Sequence, residues 1–396
     1  MNDVPHPALL PAGLYDLLPP DAEIEAEATA RLMGVLASHG YQRVEPPLVE
    51  FEETLLSGAG TATASDTFRL MDPISHRMVG VRADMTPQVA RIAATRMSHM
   101  PRPLRLSYAG QVLRVKGSEM QPERQIGQAG AELIGAEGPA ADVEAIAVAG
   151  EALQAVGVPS LSVDLTLPTL VPAIVDAYGL AGPREAALRA ALDHKDTAAV
   201  AALAGEAGQL LAELIAAAGV AAATRAALNR LDLPARAREE RDRLGAVLDG
   251  LAAAVPNLKV TVDPVENRGF EYHTGISFTF FARTDPERGP LGELGRGGRY
   301  QAGDPARPEP ATGFTLYTDT ILRTLPEAPP RRRVLVPLGA ERDHARALRE
   351  AGWVTVAALS EPSPPAKDWH AEARRLGCDF VIEDREPKPL APASKH

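Results

Sequence analysis

Residues 105–135 read RLSYAGQVLRVKGSEMQPERQIGQAGAELIG, and their pattern is strand, polar loop, strand. Leu104, Leu106 and Tyr108 alternate with Arg105 and Ser107, and Gln111-Val112-Leu113-Arg114-Val115 continues the run with β-branched residues at period two. Lys116–Arg124 is charged and carries Gly117 and Pro122, which marks an exposed hairpin connection. The return segment is unusual for a buried strand. Gln128 and Glu132 stand an even four residues apart, so both side chains leave the same face, with Gly130 and Ala131 between them. An amide and a carboxylate separated by a gap suit a small ligand with an ammonium group. The plainer alternative is a solvated outer face of a sheet.

The rest of the chain surrounds this hairpin. Turn-rich Pro11–Pro20 leads to a predicted helix Ala22–Ser38, capped by Asp21 and closed by Gly40. Tyr41–Glu50 reads as a strand interrupted by Pro46 and Pro47, which places it at a sheet edge or an interface. Thr67–Met71 and Arg77–Arg82 flank the turn pair Asp72-Pro73 as a hairpin. It leads to Asp84-Met85-Thr86-Pro87, where Thr86 suits an N-cap and Pro87 a first helical residue, so Asp84 and Thr86 sit at a strand-to-helix corner. A helix over Ala140–Val156 and a strand over Ser160–Leu167 follow. The Ala- and Leu-dense texture of about 170–255 reads as a helical insertion. Strands return at Leu258–Val262 and Ile276–Phe281. Between them, Asn267–Gly275 concentrates charge, aromatic edge and imidazole. In Leu294–Tyr300 the glycines permit close backbone approach, while the arginines and Tyr300 offer donors for a carboxylate or another anion. After a Pro-rich linker, residues 331–396 read as a small α/β unit with a disordered tail from Glu386.

The formal net charge of −11 argues against a general nucleic-acid-binding surface. The single cysteine, Cys378, excludes an intrachain disulfide and a multi-cysteine metal site. Neither a membrane-length apolar run nor a signal-peptide pattern stands out, so a soluble, cytoplasmic protein is expected.

From Pro11 to about Leu325 the order of motifs resembles the catalytic domain of histidyl-tRNA synthetase. VEPPLVEFEETL (44–55) is similar to the class II dimer motif, and VRADMT (81–86) to the strand-to-helix corner that contacts the amino acid. RQIGQAGAELIG (124–135) is similar to the end of the second motif, RGFEYH (268–273) to the first histidine-specific motif, and GGRY (297–300) to the second. The resemblance implies an α+β fold: a class II synthetase-like antiparallel sheet with flanking helices in residues 1–330, carrying the helical insertion, then the C-terminal unit. It also implies a histidine site. Asp84, Gln128 and Glu132 would hold the ammonium, with Thr86 as a further acceptor. Arg114 or Arg268 would meet the carboxylate, and Glu271, Tyr272, His273 and Tyr300 the imidazole. The carboxylates would be ionised, with a nearby arginine keeping their pKa low.

The nucleotide positions depart from that family. Its second motif pairs an Arg with an acid two residues on, and here Arg114 is followed by Lys116. Thr320 stands where the third motif has its nucleotide-holding Arg, and Ile126 where an adenine-stacking aromatic belongs. A hydroxyl cannot replace a planar five-donor cation at a triphosphate. Retained amino-acid contacts beside lost ATP contacts resemble the regulatory subunits of short-form ATP phosphoribosyltransferases. That resemblance implies no catalytic residues, cofactor or metal, and no nucleic-acid or membrane partner. It implies histidine as ligand, self-association as a dimer, and a hetero-oligomer with the catalytic subunit. The alternatives are an active histidyl-tRNA synthetase, another histidine-binding paralogue with a different cofactor, and a structural partner with a dead pocket.

Overall fold

The computed structural model describes residues 9–117, 122–182, 185–266, 272–282, 292–304, 306–326, 331–361 and 368–390. Contacts divide the chain into two compact units, Met1–Pro326 and Glu327–His396. The first begins with α1 (Asp21–Ser38), β1 (Gln42–Arg43), β2 (Val49–Phe51), α2 (Glu52–Leu55), β3 (Phe68–Met71), β4 (Met78–Val81) and α3 (Thr86–Thr95). The central hairpin is β5 (Leu104–Leu113) and β6 (Gln125–Ile134), followed by α4 (Pro139–Ala155) and β7 (Leu161–Thr166). The insertion comprises α5 (Leu170–Ala177), α6 (Glu185–Asp193), α7 (Thr197–Ala204), α8 (Gly208–Ala217), β8 (Gly219–Val220), α9 (Ala221–Leu228) and α10 (Ala235–Ala254). The unit closes with β9 (Lys259–Asp263), β10 (Ser277–Ala282), β11 (Gly295–Asp304), β12 (Arg307–Tyr317) and α11 (Thr318–Leu322).

Among the described residues nine strands form one sheet in the order β1-β5-β6-β12-β11-β10-β7-β9-β8. Its centre is antiparallel, and the β1–β5 and β7–β9 pairs are parallel. The sheet separates two cores. On one face α1 and α4 bring Leu32, Leu36, Ile146 and Leu153 onto Ala129, Ala131 and Phe314. On the other face α3 brings Met85, Val89 and Ala93 onto Leu106, Tyr108, Ile126 and Tyr300. The proline-broken stretch divides between two sheets: β1 is an edge strand of the large one, and β2 joins a smaller sheet ordered β2-β4-β3. Buried Arg82 and Gln88 hold the segment between them, donating to the carbonyls of Pro46 and Pro47 at 2.8 Å each.

Local chemistry differs from expectation at several points. Asp21 is the first residue of α1 with Pro20 at the cap position, so its charge acts on the helix dipole rather than as a side-chain cap. The Gly-rich run is the start of a central strand, β11. Alternation along it sends neighbouring arginines to opposite faces. Arg299 turns toward α4 and forms a buried ion pair with Asp142, 2.8 Å apart. Arg299 also donates to the carbonyls of Ala136 and Gly138, and Thr312 donates to Asp142. Burial pushes the Asp142 carboxyl up, and the Arg299 guanidinium opposes that rise.

Within the insertion, Thr197–Ala217 is long and apolar enough by composition to cross a bilayer, with mean hydropathy 1.4. It is not one uninterrupted α-helix, since a 3-10 turn at Gly205–Ala207 separates α7 from α8. The second unit contains β13 (Arg333–Val336), α12 (Arg342–Glu350), β14 (Val354–Ala357), α13 (Trp369–Arg375), β15 (Phe380–Glu383) and β16 (Glu386–Pro389). Residues 386–389 of the expected disordered tail thus form a strand, paired antiparallel with β15.

The Arg299–Asp142 pair gives a direct test. Asp142→Ala leaves a guanidinium buried without its counter-charge and is expected to cost about 3–5 kcal/mol in a denaturant titration. A loss below about 1 kcal/mol would place the pair among those that contribute little.

Candidate functional site

The cleft lies on the α3 side of the sheet, and cross-strand register builds its floor. Directly opposed residues share a face, which gives one row Leu106, Glu132, Gly313, Gly298 and a second row Tyr108, Gly130, Thr315, Arg296. A third row is Gly110, Gln128, Tyr317. The cleft is shallow and partly open to solvent. Its lining includes Asp84, Thr86, Glu132, Arg296, Tyr300 and Tyr317.

Glu132 is the deepest of these groups, at 1% exposure, so the hairpin face is not solvated. Tyr300 donates to its Oε2 at 2.9 Å and Tyr108 to its Oε1 at 3.3 Å. Gly313 makes room for the carboxylate, since a Cβ there would lie 1.8 Å from Glu132 Oε2. Burial pushes the Glu132 carboxyl up to about 8; hydrogen bonds from Tyr300, Thr86 and Tyr108 oppose this, and the Asp84 charge adds to it. The expected low pKa is therefore corrected for Glu132, because desolvation outweighs every compensating interaction.

The strand-to-helix corner forms the second wall. Asp84 Oδ1 accepts from the Thr86 backbone N–H at 2.8 Å, so Asp84 does the capping at the start of α3. Thr86 lies within α3 and points its hydroxyl at Tyr108 Oη, 3.1 Å away, instead of serving as the N-cap. Gln128 is spent on positioning: it donates to Asp84 Oδ2 at 3.0 Å and accepts from Met85 N–H at 3.1 Å. It is not part of the lining. On the far wall Tyr272 stacks on His273, with ring centroids 4.0 Å apart, and meets Tyr300 edge-on at 6.4 Å.

Of the expected site residues, Asp84, Thr86, Glu132, Tyr272, His273 and Tyr300 converge on the cleft. Arg268 and Glu271 lie outside the described residues. Arg114 does not line the cleft, although its charge acts on the Tyr317 phenol. The guanidinium that lines it is Arg296, paired with Glu293. Sequence reading also missed Tyr108, Thr315 and Tyr317 as site residues. Period two in β5 was visible, but the pairing of Tyr108 with Gly130 requires the register. At the nucleotide-related positions, Thr320 is buried in α11, Ile126 is packed in the core and Lys116 is exposed.

An antiparallel-centred sheet with a cleft of this design defines a protein of the histidyl-tRNA synthetase-like class. The histidyl-tRNA synthetase family model matches residues 13–321. Among solved structures, histidyl-tRNA synthetase from Nostoc sp. superposes with TM-score 0.76 at 17% identity, covering 95% of this chain and 91% of that one. A Bacillus halodurans protein described as an ATP phosphoribosyltransferase regulatory subunit/histidyl-tRNA synthetase gives 0.79 at 24% identity, covering 96% and 98%. Both matches establish the fold. ATP phosphoribosyltransferase regulatory subunits from Paramagnetospirillum magneticum and Rhodospirillum centenum are 58% and 59% identical, covering 96% and 95% of this chain and 97% and 95% of theirs. The chain belongs to the ATP phosphoribosyltransferase regulatory subunit family.

Two measurements probe the floor. Gly313→Ala forces the new methyl against Glu132 and the Ala131 carbonyl, 2.8 Å away, and should destabilise by about 1–3 kcal/mol in urea. For Glu132 the folded state holds the proton more tightly than the unfolded chain. Its contribution is thus full below the ordinary carboxylate value and is lost as pH rises through about 8. The Tm of Glu132→Gln relative to the parent should therefore climb between pH 6 and pH 9; a difference that stays flat would contradict this protonation.

Proposed function

We propose that this chain is a non-catalytic, histidine-sensing subunit that is required for turnover by a short-form ATP phosphoribosyltransferase catalytic subunit and carries its feedback inhibition. The observation that carries the reading is a cleft equipped for an amino acid but not for a triphosphate. Asp84 offers a carboxylate and Glu132 a buried carboxyl to the nitrogens of the ligand, and Arg296 offers a cation to its carboxylate. Tyr272, His273 and Tyr300 supply the aromatic and imidazole wall. Thr320 provides only a buried hydroxyl where a nucleotide needs a cation.

The family name supports a catalytic partner, since a regulatory subunit acts on another chain. Histidine then regulates by binding two states of the complex unequally, with coupling of about 1–3 kcal/mol typical of such systems. Exposed Leu48, Val49, Leu70, Met71, Ile74 and Met78 gather on and beside the three-stranded sheet and support self-association there. A cytoplasmic location fits the substrates of such a complex.

The test combines the purified chain with a short-form catalytic subunit. Turnover should require the chain and fall when L-histidine is added, while the chain alone should give no ATP–pyrophosphate exchange. Histidine at a hundred times its Kd should stabilise the chain by about 2.7 kcal/mol, and Asp84→Asn should abolish most of that gain. Full catalytic activity without this chain would defeat the reading, as would an absence of any histidine-induced stabilisation.

A further inference from the structure

The end of the cleft beside Arg296 is closed by Tyr317. Arg296 stands opposite Thr315, and Tyr317 lies two residues further along β12, so their side chains leave the same face as diagonal neighbours. Both line the cleft. Across the sheet Tyr317 pairs with Gln128, and Gln128 pairs with Gly110. Of these three residues only Tyr317 brings a ring, since Gly110 has no side chain and Gln128 is committed to Asp84.

The same face continues beyond that row. Val112 and Ile126 form the next row, and Arg114 follows one step later, its N–H donating to the Arg124 carbonyl. Arg114 pairs with no carboxylate among the described residues. The Tyr317 phenol senses charge from both directions. Burial pushes it up to about 12; Glu293 and Asp84 add to the rise, and Arg296 and Arg114 oppose it. Asp84 and Arg296 line the cleft and Arg114 does not. Tyr317 thus stands between the cleft and a guanidinium without a counter-charge. Its ring is 5% exposed and packed in the cluster that holds Met85, Val112 and Ile126, so it is a fixed obstacle.

We infer that Tyr317 is a specificity-determining residue: its ring closes the carboxylate end of the cleft, so the site takes a free amino acid and rejects one extended through its carboxyl group. The inference rests on the histidine reading of the cleft and deepens it. In that reading the ligand carboxylate meets Arg296, so atoms added beyond it meet Tyr317. An obstacle of this kind discriminates without any further contact to the accepted ligand. With the ring removed, an extension that carries its own negative charge gains Arg114 as a counter-charge.

Isothermal titration of the full chain with L-histidine and with L-histidylglycine tests this. The dipeptide keeps the ammonium group and the imidazole and carries its carboxylate one residue further out. The parent chain should bind histidine at least about a hundredfold more tightly than the dipeptide. Tyr317→Ala should bind the dipeptide about tenfold or more better than the parent does, and histidine no better, so the preference shrinks. Tyr317→Phe keeps the ring and should keep the preference. Arg114→Ala added to Tyr317→Ala should take back most of the gain. If Tyr317→Ala does not fold, Tyr317→Leu fills more of the core and should show a smaller gain in the same direction. A parent chain that binds both ligands alike overturns the inference while leaving the histidine reading intact. A folded Tyr317→Ala or Tyr317→Leu chain that binds histidine yet rejects the dipeptide as strongly as the parent also overturns it. A parent chain that binds neither ligand removes both readings together.

Discussion

The cleft depends on glycines that stand, strand by strand, opposite bulky polar side chains. Glu132 occupies the space a side chain at Gly313 would take, and His273 the space above Gly298. Neither group could be this deep in a sheet whose every position carried a Cβ. The hollow is therefore a property of pairing between β6, β12 and β11, and a slip of one residue in any pair would turn these side chains toward the opposite core. The hydrophobic clusters on the two faces guard against that slip. It would bring polar groups against α1 and α4 and apolar ones into the cleft, at about 1.5–3 kcal/mol for each large apolar side chain displaced from burial.

Local pattern made much of this legible. The β5–β6 hairpin, the strand-to-helix corner before α3 and the even spacing of Gln128 and Glu132 could all be read from adjacent residues. The motif order pointed to the fold. Local pattern could not show which groups meet across the sheet. Gln128 and Glu132 leave the same face, yet one holds Asp84 in place while the other lines the cleft. Arg296 and Arg299 are three residues apart, and one lines the cleft while the other pairs with Asp142 on the far side. Arg114 is absent from the lining for the same reason: its position relative to the cleft is fixed by tertiary packing. The tail misled because a Pro-rich composition seldom forms a strand, but a sheet edge accepts proline where no ladder donor is needed.

The groups around Glu132 and the nucleotide-related positions are held in different ways. The groups around Glu132 are held by register and by core packing on both faces. The nucleotide-related positions contribute differently: Thr320 and Ile126 are part of the interior, and Lys116 projects from the hairpin end. Tyr317 marks the boundary between the two sets. Its ring is 5% exposed, opposite Gln128, and belongs to the same core cluster as Ile126.

The elevated Glu132 carboxyl has a consequence for how the empty cleft behaves. At neutral pH it is chiefly in its acid form and presents little negative charge at the bottom of the hollow. A stray sodium ion or a surface amine finds no electrostatic trap there. A cationic guest at that depth favours loss of this hydrogen ion, so its occupancy tracks acidity as well as the amount of guest present.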